Sequence, residues 1–219
     1  RFARGSVRAA DAAGATIALD VLSTLSLPRT ASALVIAQID LKTGEAKIVA
    51  QRLDWEALDG IVWTPWGTVL FAEETGNAVF ADPDHPAAIR GLLYEIKLDK
   101  KDPTRAESVK VRPMLGSVSH EGIEFDSEGN VYVIDENGPG AIFKFVPKKY
   151  GNLSDGQLYA LKLDDSSNAD RVGPAEWVAL DMTLAQIDAR TAAANVGATG
   201  YGRPEDLERI GSSLYVAIT

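Results

Sequence analysis

Residues 59–74 read DGIVWTPWGTVLFAEE, and the same pattern returns twice further along the chain. The second copy, residues 121–136, reads EGIEFDSEGNVYVIDE and lies at a constant offset of 62 residues, so that no gap is needed. A third copy, residues 205–219, reads EDLERIGSSLYVAIT and fits with one residue removed. Each copy runs from an acid through a tight turn into a β-rich segment. A repeat of this length, built from short strands and Gly turns, predicts a β-propeller.

The segment before the first copy, residues 33–50, and the segments between the copies, residues 92–113 and 141–163, also have the pattern of β-hairpins. Together with the repeat they give four strands per unit, which is the composition of a propeller blade. Three copies fall short of the four to eight blades of a closed propeller. We therefore expect residues 1–219 to form a single partial β-propeller domain, truncated at both ends and covering about three to four blades.

A short helical insertion is expected before the third copy. Thr183, with Gln186 three residues later, resembles a capping box, and an Ala-rich stretch follows it as far as Gly197. The sequence therefore predicts a helix over residues 184–196.

Composition restricts the classes of partner. The 219 residues carry a net charge of −9, which argues against nucleic acid and anionic membranes because both attract basic surfaces. No apolar stretch reaches the roughly 20 residues that a membrane helix needs. The absence of cysteine excludes disulfides, thiolate metal sites and cysteine nucleophiles.

Acidic residues recur at the open end of each predicted hairpin. They are Asp59, Glu73 and Glu74 in the first copy, Glu121, Asp135 and Glu136 in the second, and Glu205 and Asp206 in the third. If the first strand of each blade is innermost, these carboxylates converge on the central channel, where they repel one another unless cations neutralise them. Oxygen ligands favour Ca²⁺, Mg²⁺ or a hard trivalent iron over zinc.

Each of these residues also has a purely structural interpretation. A single acid at a strand end can cap backbone N–H groups, whereas acids at matching places in three repeats favour a metal site. Arg203 can bind a phosphate or carboxylate in bidentate fashion, or it can pair with Glu205. Because Pro204 disfavours the α conformation at the preceding residue, we expect an extended backbone at Arg203. For His120, a neutral structural role is the interpretation that we favour.

Five ordered motifs resemble those of the PhoX-type alkaline phosphatases. They are TPWGT at 64–68 with the acids at 73–74, SHEG at 119–122, FKFV at 143–146, GQLYA at 156–160, and GAT at 197–199 with RPE at 203–205. The resemblance covers roughly residues 60–219. It implies a six-bladed propeller, in the periplasm or outside the cell, that hydrolyses small-molecule phosphate monoesters.

The resemblance also implies a set of site residues and cofactors. The cofactors would be Ca²⁺ and Fe³⁺, clustered in the channel. Glu73, Glu74, Glu121 and Glu205 would be metal ligands, Asp135 or Glu136 a further ligand, and Arg203 the catalytic residue that holds the phosphate. We expect the full-length protein to be a monomer.

One departure from the family pattern keeps other functions open. The family places a cysteine iron ligand shortly before TPWGT, whereas this chain has Asp59 in that neighbourhood and no cysteine. A calcium-only site is therefore an alternative. The chain would then be a calcium-dependent lactonase or esterase-like propeller, or a calcium-stabilised binding propeller without catalysis.

Overall fold

The computed structural model describes residues 17–19, 33–167 and 169–219, and within them the chain is mostly β-sheet. Every strand pair in these residues is antiparallel, and the strands of each sheet follow one another in sequence order. None of the described sheets closes on itself. The predicted all-β class with a short helix is thus confirmed at the level of secondary structure.

The strands form four sheets in the described residues. The N-terminal sheet contains β1 (Ile17–Leu19), β2 (Leu34–Ile39) and β3 (Ala46–Arg52). The next contains β4 (Leu58–Trp63), β5 (Val69–Glu73), β6 (Leu93–Leu98) and β7 (Ala106–Val111). The largest contains β8 (His120–Phe125), β9 (Val131–Asp135), β10 (Ile142–Pro147), β11 (Gly156–Leu163) and β12 (Ala175–Ala179). The last contains β13 (Pro204–Ile210) and β14 (Ser213–Ile218).

The three repeat copies form three antiparallel hairpins, β4–β5, β8–β9 and β13–β14. Two of them open larger sheets, of four strands in β4–β7 and of five in β8–β12. The sequence pattern predicted four strands per unit, and β12 is an additional strand that it did not predict. Each copy of the sequence repeat therefore forms the same structural unit, an antiparallel hairpin.

The first strands of these hairpins lie side by side, with β8 between β4 and β13. Glycine makes this close approach possible. A Cβ on Gly60 would lie 2.0 Å from the carbonyl oxygen of Glu121, and one on Gly122 would lie 2.6 Å from the amide nitrogen of Leu207. Since a side chain at either position would collide with backbone atoms, the two glycines set the spacing between neighbouring sheets.

The hydrophobic core is distributed between the sheets. The largest cluster joins β4–β6 and β8–β11 to the helix, and includes Phe143, Phe145 and Leu158, none of them solvent-exposed. A second cluster surrounds Trp55, which packs edge-on against Phe71 with ring centroids 4.9 Å apart. Large apolar side chains alternating along the strands thus bind each sheet to its neighbours.

The helix α1 (Met182–Asn195) confirms the predicted insertion but not its predicted cap. Asp181, and not Thr183, is the N-cap, since its carboxylate accepts a 2.8 Å hydrogen bond from the amide of Thr183. The helix is interrupted at Asp188, where φ is −155°. In the described part of the chain no helix is long and apolar enough to cross a membrane.

The interruption of α1 has a structural cause. The backbone of Ser117 inserts into it, donating from its amide to the carbonyl of Ala185 and accepting from the amide of Ala189, each at 3.0 Å. The segment containing Ser117 follows a 3₁₀ turn (Pro113–Leu115) and leads directly into β8. The helix is therefore joined by main-chain hydrogen bonds to the start of the second hairpin.

Candidate metal centre

A β-bulge occurs at the same place in the first strand of each hairpin. In β4 and in β8 the pairing register advances by three residues while the partner strand advances by two. In β13 it advances by two while β14 advances by one. The bulged positions hold the first acid of each copy, namely Asp59, Glu121 and Glu205. A bulge locally redirects a side chain, so all three carboxylates are turned toward the same end of the hairpins.

The second strand of each hairpin brings another residue to this end. Glu74 follows β5, and its amide donates to the carbonyl of Ala57 at 2.8 Å; Glu136 follows β9, and its amide donates to the carbonyl of Ser119 at 2.9 Å. In the third copy the equivalent residue is Thr219, whose hydroxyl donates to Glu205 at 2.7 Å. The first two hairpins thus supply two acids each and the third supplies one.

These five carboxylates form two overlapping groups. Ligand oxygens of Asp59, Glu74 and Glu121 all lie within 4.8 Å of one another, as do those of Glu121, Glu136 and Glu205. Glu121 belongs to both groups and therefore occupies the centre of the cluster. An all-carboxylate donor set at this spacing suits hard cations such as Ca²⁺ or Fe³⁺.

Burial and the crowding of like charges raise the pKa values of two carboxyl groups in the cluster. Burial, followed by the charges of Asp59, Glu74, Glu136 and Glu205, raises the pKa of Glu121 to about 9. Burial and a hydrogen bond with Glu136 raise the pKa of Glu74 to about 8. Because burial and mutual repulsion disfavour the ionised form of these carboxylates, a bound cation would stabilise that form.

Arg203 lies at the edge of this cluster. Its Nε donates to Glu136 at 3.0 Å, its Nη2 also contacts Glu136, and Nη2 lies 3.3 Å from Glu205. Burial acts to raise the pKa of Glu136, but the hydrogen bonds with Arg203 and Glu74 and the charge of Arg203 together outweigh burial and hold that pKa below the ordinary value. The side chain of Arg203 is 60% exposed, so one face of the guanidinium remains open to solvent.

The backbone of Arg203 differs from the prediction. Its φ is +31°, in the left-handed region, whereas Pro204 led us to expect an extended conformation. The conformation that Pro204 disfavours at the preceding residue is the right-handed α conformation, so the preference does not by itself require an extended backbone. Because a non-glycine residue rarely adopts this φ, the surrounding contacts must stabilise it. They include the amide of Thr219, which donates to the carbonyl of Arg203 at 3.2 Å.

Two of the predicted ligands lie outside the cluster. Glu73 points behind it, where its carboxylate accepts from the amides of Glu56 at 2.9 Å and Leu92 at 3.2 Å. Asp135, at the equivalent place in the second copy, is fully buried and forms a bidentate ion pair with Arg190. The physical reason is the alternation of side chains along a strand, which sends the two acids of each consecutive pair to opposite sides.

His120 has the expected structural role. It is completely buried, and its Nε2 hydrogen-bonds the carbonyl of Gly116 at 3.0 Å. Burial lowers the pKa of His120 to about 4, so the imidazole is neutral near pH 7.

Arg190 is a residue near the site that the sequence pattern did not predict. It lies on α1, outside the repeat, and nothing local marks it as a partner for Asp135. A signal was present in the chemistry of the second acid pair, since a buried aspartate requires a cation or several N–H donors.

Comparison with known proteins gave one match. The family described as "Alkaline phosphatase PhoX" matches residues 62–219. This stretch contains Glu74, Glu121, Glu136, Glu205 and Arg203, and leaves Asp59 outside. Neither a curated protein nor a solved structure matches the chain.

Proposed function

The chain belongs to the PhoX alkaline phosphatase family, and on that premise we propose that it is a metal-dependent phosphatase that hydrolyses small-molecule phosphate monoesters. The observation that carries this proposal is the convergence of five carboxylates beside an exposed arginine. Such a site attracts cations and, once they are bound, attracts the phosphate dianion. The same premise supports a location in the periplasm or outside the cell, and a monomeric full-length protein.

We further propose that residues 1–219 form a partial β-propeller domain, belonging to a six-bladed propeller. Support comes from the adjacent first strands β4, β8 and β13, which have the relation of innermost strands in successive blades. The acid cluster would then lie at the mouth of the channel.

The proposed cations are Ca²⁺ and Fe³⁺, held by Asp59, Glu74, Glu121, Glu136 and Glu205. When bound, they would supply positive charge and Lewis acidity to the phosphate ester. Asp59 lies in the neighbourhood where the family places its cysteine, and a carboxylate is a suitable ligand for either ion. Glu73 and Asp135 act behind the site in this proposal and are not ligands.

Arg203 is proposed to bind and orient the substrate phosphate. Arg203 pairs with Glu136 and lies beside Glu205. Its guanidinium fork could present two donors to phosphate oxygens. Charge that develops on those oxygens in the transition state is stabilised by the same contact.

The test is Arg203→Ala and Arg203→Lys, assayed on p-nitrophenyl phosphate with bound calcium and iron measured in parallel. We expect turnover to fall about 100-fold or more in Arg203→Ala, with metal content unchanged. Arg209→Ala is the matched control, because Arg209 lies on the same hairpin at the opposite end of β13.

Two results would contradict the proposal. Loss of metal together with activity in Arg203→Ala would mean that the residue only holds Glu136 and Glu205 in place. No phosphatase activity in the wild-type protein, with both metals supplied, would exclude the enzymatic function.

A second candidate is favoured by the absence of cysteine. Without a thiolate, a calcium-only centre suits a lactonase or esterase in which calcium polarises a carbonyl, or a calcium-stabilised binding propeller. Metal analysis separates the candidates, since iron together with calcium supports the phosphatase and calcium alone supports the second group. Hydrolysis of a simple lactone then distinguishes its two members.

A further inference from the structure

We propose that Arg190, through Asp135, is a positioning residue that holds the acid cluster in its metal-binding geometry. The inference rests on the proposed function, because it presupposes that the five acids bind cations. Arg190 touches none of them in the contacts of the described chain. Its effect is instead transmitted through a buried carboxylate.

Asp135 is the centre of a convergent set of hydrogen bonds. Its Oδ2 accepts from Arg190 Nε and its Oδ1 from Arg190 Nη2, both at 2.6 Å. Oδ1 also accepts from the amides of Ser119 at 3.2 Å and Asn137 at 3.3 Å. The aspartate side chain has no exposed surface and that of Arg190 is 23% exposed. This is the geometry of a strong, desolvated ion pair.

The two amides that Asp135 binds belong to the chain segments that carry the ligands. Ser119 lies two residues before Glu121, and Asn137 directly follows Glu136. Ser119 and Glu136 are also joined to each other, by the 2.9 Å bond from the amide of Glu136 to the carbonyl of Ser119. Asp135 thus fixes the relative position of the strand ends that supply two of the five acids.

Hydrogen bonds of the helix α1 hold the backbone near Arg190 in place. Ala189 donates its amide to Ser117, and Asp188 accepts from Arg90 Nε at 2.8 Å and from the hydroxyl of Thr191 at 2.7 Å. The two residues before Arg190 are therefore anchored to the body of the protein, and Thr191, which follows Arg190, is tied to Asp188. An arginine on an anchored helix holds its partner Asp135 in a more precise position than an arginine on a flexible loop would.

In the first hairpin, the buried acid equivalent to Asp135 is held without an arginine partner. Glu73 stands at the place of Asp135, but it accepts from two backbone amides and lies 3.4 Å from the hydroxyl of Tyr94. The second hairpin is thus the one that depends on the helical insertion. This difference assigns α1 a role at the site.

The experiment measures calcium affinity by titration calorimetry for the wild type, Arg190→Met and Arg190→Lys. Loss of a residue that orients ligands typically weakens metal binding 10- to 100-fold, and we expect a loss of about this size in Arg190→Met. Arg190→Lys should lie between wild type and Arg190→Met, because an ammonium keeps the charge but not the bidentate geometry.

Arg112→Met is the matched control. Arg112 pairs with buried Glu95 through Nε at 2.7 Å, and that carboxylate accepts from Trp66 and Thr68 in the turn at the other end of the β4–β5 hairpin. Breaking this pair removes a comparable buried contact far from the acids. We expect it to lower the urea midpoint while calcium affinity stays at the wild-type value.

The outcomes separate the inference from its premise. Calcium binding equal to wild type in both Arg190 variants overturns the positioning role, as does an equal loss of affinity in Arg112→Met. If Arg190→Met does not fold, Arg190→Lys carries the comparison by itself. If the wild type binds no calcium or iron, the proposed metal centre fails, and the positioning role fails with it.

Discussion

Consecutive acids in this protein have different roles. The second strand of each of the first two hairpins ends in two consecutive acids. The side chains of Glu73 and Asp135 turn away from the cluster and accept hydrogen bonds from backbone N–H groups, and those of Glu74 and Glu136 turn toward the cluster. Burial raises the pKa of Glu73 to about 7, so this inner acid is partly protonated near neutral pH. Each pair therefore combines a structural carboxyl group with a candidate ligand.

The difference between these roles predicts different effects of the same substitution. Glu121→Gln removes the carboxylate shared by both groups of ligands, and we expect calcium affinity to fall more than about 100-fold, beyond the loss usual for supporting residues. Glu73→Gln should leave affinity within a few-fold and lower the free energy of unfolding by about 1–3 kcal/mol, since a buried amide replaces two hydrogen-bonded oxygens. Calorimetry and urea unfolding measure the two quantities. An equal loss of affinity in both variants would place Glu73 among the ligands.

At the scale of secondary-structure elements, the arrangement depends on how closely β4, β8 and β13 approach one another. The bulge in each strand turns its acid toward the cluster, and the glycine that follows the acid in β4 and β8 lets the next strand lie against it. The acid therefore supplies the candidate ligand, and the glycine that follows it lets the strands approach closely enough to bring the candidate ligands together.

Gly122→Ala tests this spacing. The added methyl group would lie 2.6 Å from the amide nitrogen of Leu207 and 2.9 Å from the Cα of Asp206, and backbone atoms cannot move aside as a side chain can. We expect β8 and β13 to separate, with a loss of about 1–3 kcal/mol in the free energy of unfolding and weaker calcium binding, because Glu121 moves away from Glu205.

Gly44→Ala is the control for this substitution. It places a methyl group with no atom within 4 Å, although its φ of +73° makes the change unfavourable by about 1 kcal/mol. We expect it to lower stability without changing calcium affinity. Unchanged affinity in Gly122→Ala would show that the spacing of β8 and β13 does not control the site.

At the scale of the whole molecule, the acid cluster links stability to pH. Glu73, Glu74 and Glu121 have pKa values raised to about 7, 8 and 9, against an ordinary value of 4.5. Between about pH 5 and pH 9 the unfolded chain therefore binds fewer protons than the folded one. The free energy of unfolding of the metal-free protein should fall as pH rises through this window.

Calcium should act in the opposite direction. Binding requires ionised carboxylates, so affinity rises with pH, and calcium at 100 times its dissociation constant adds about 2.7 kcal/mol to the free energy of unfolding. Urea unfolding at about pH 6 and about pH 9, with EDTA or with calcium, measures both trends. Stability in EDTA that increases with pH would contradict the raised pKa values, and Glu121→Gln should flatten the slope.

The repeat in the sequence was sufficient to predict the three hairpins and the common end of their acids, because both depend on local patterns. The repeat did not separate Glu73 from Glu74, because both acids match in the aligned copies and only the pairing of the strand shows which side chain faces the cluster. Arg190 was missed because its role depends on a contact between a helix and a distant strand. The conformation of Arg203 depends on tertiary contacts that no dipeptide preference encodes.

The contact between neighbouring first strands has a direction, and this has a consequence for symmetry. Gly60 of the first copy lies against the backbone of the second copy at Glu121, and Gly122 of the second copy lies against the backbone of the third at Leu207, which is a heterologous, head-to-tail contact. Position 206, which matches Gly60 and Gly122, is an aspartate, and its Oδ1 lies 2.9 Å from the point where a Cβ on Gly122 would be. The third copy therefore has a side chain where the first two copies have none, and the quasi-symmetry of the three copies is broken at Asp206.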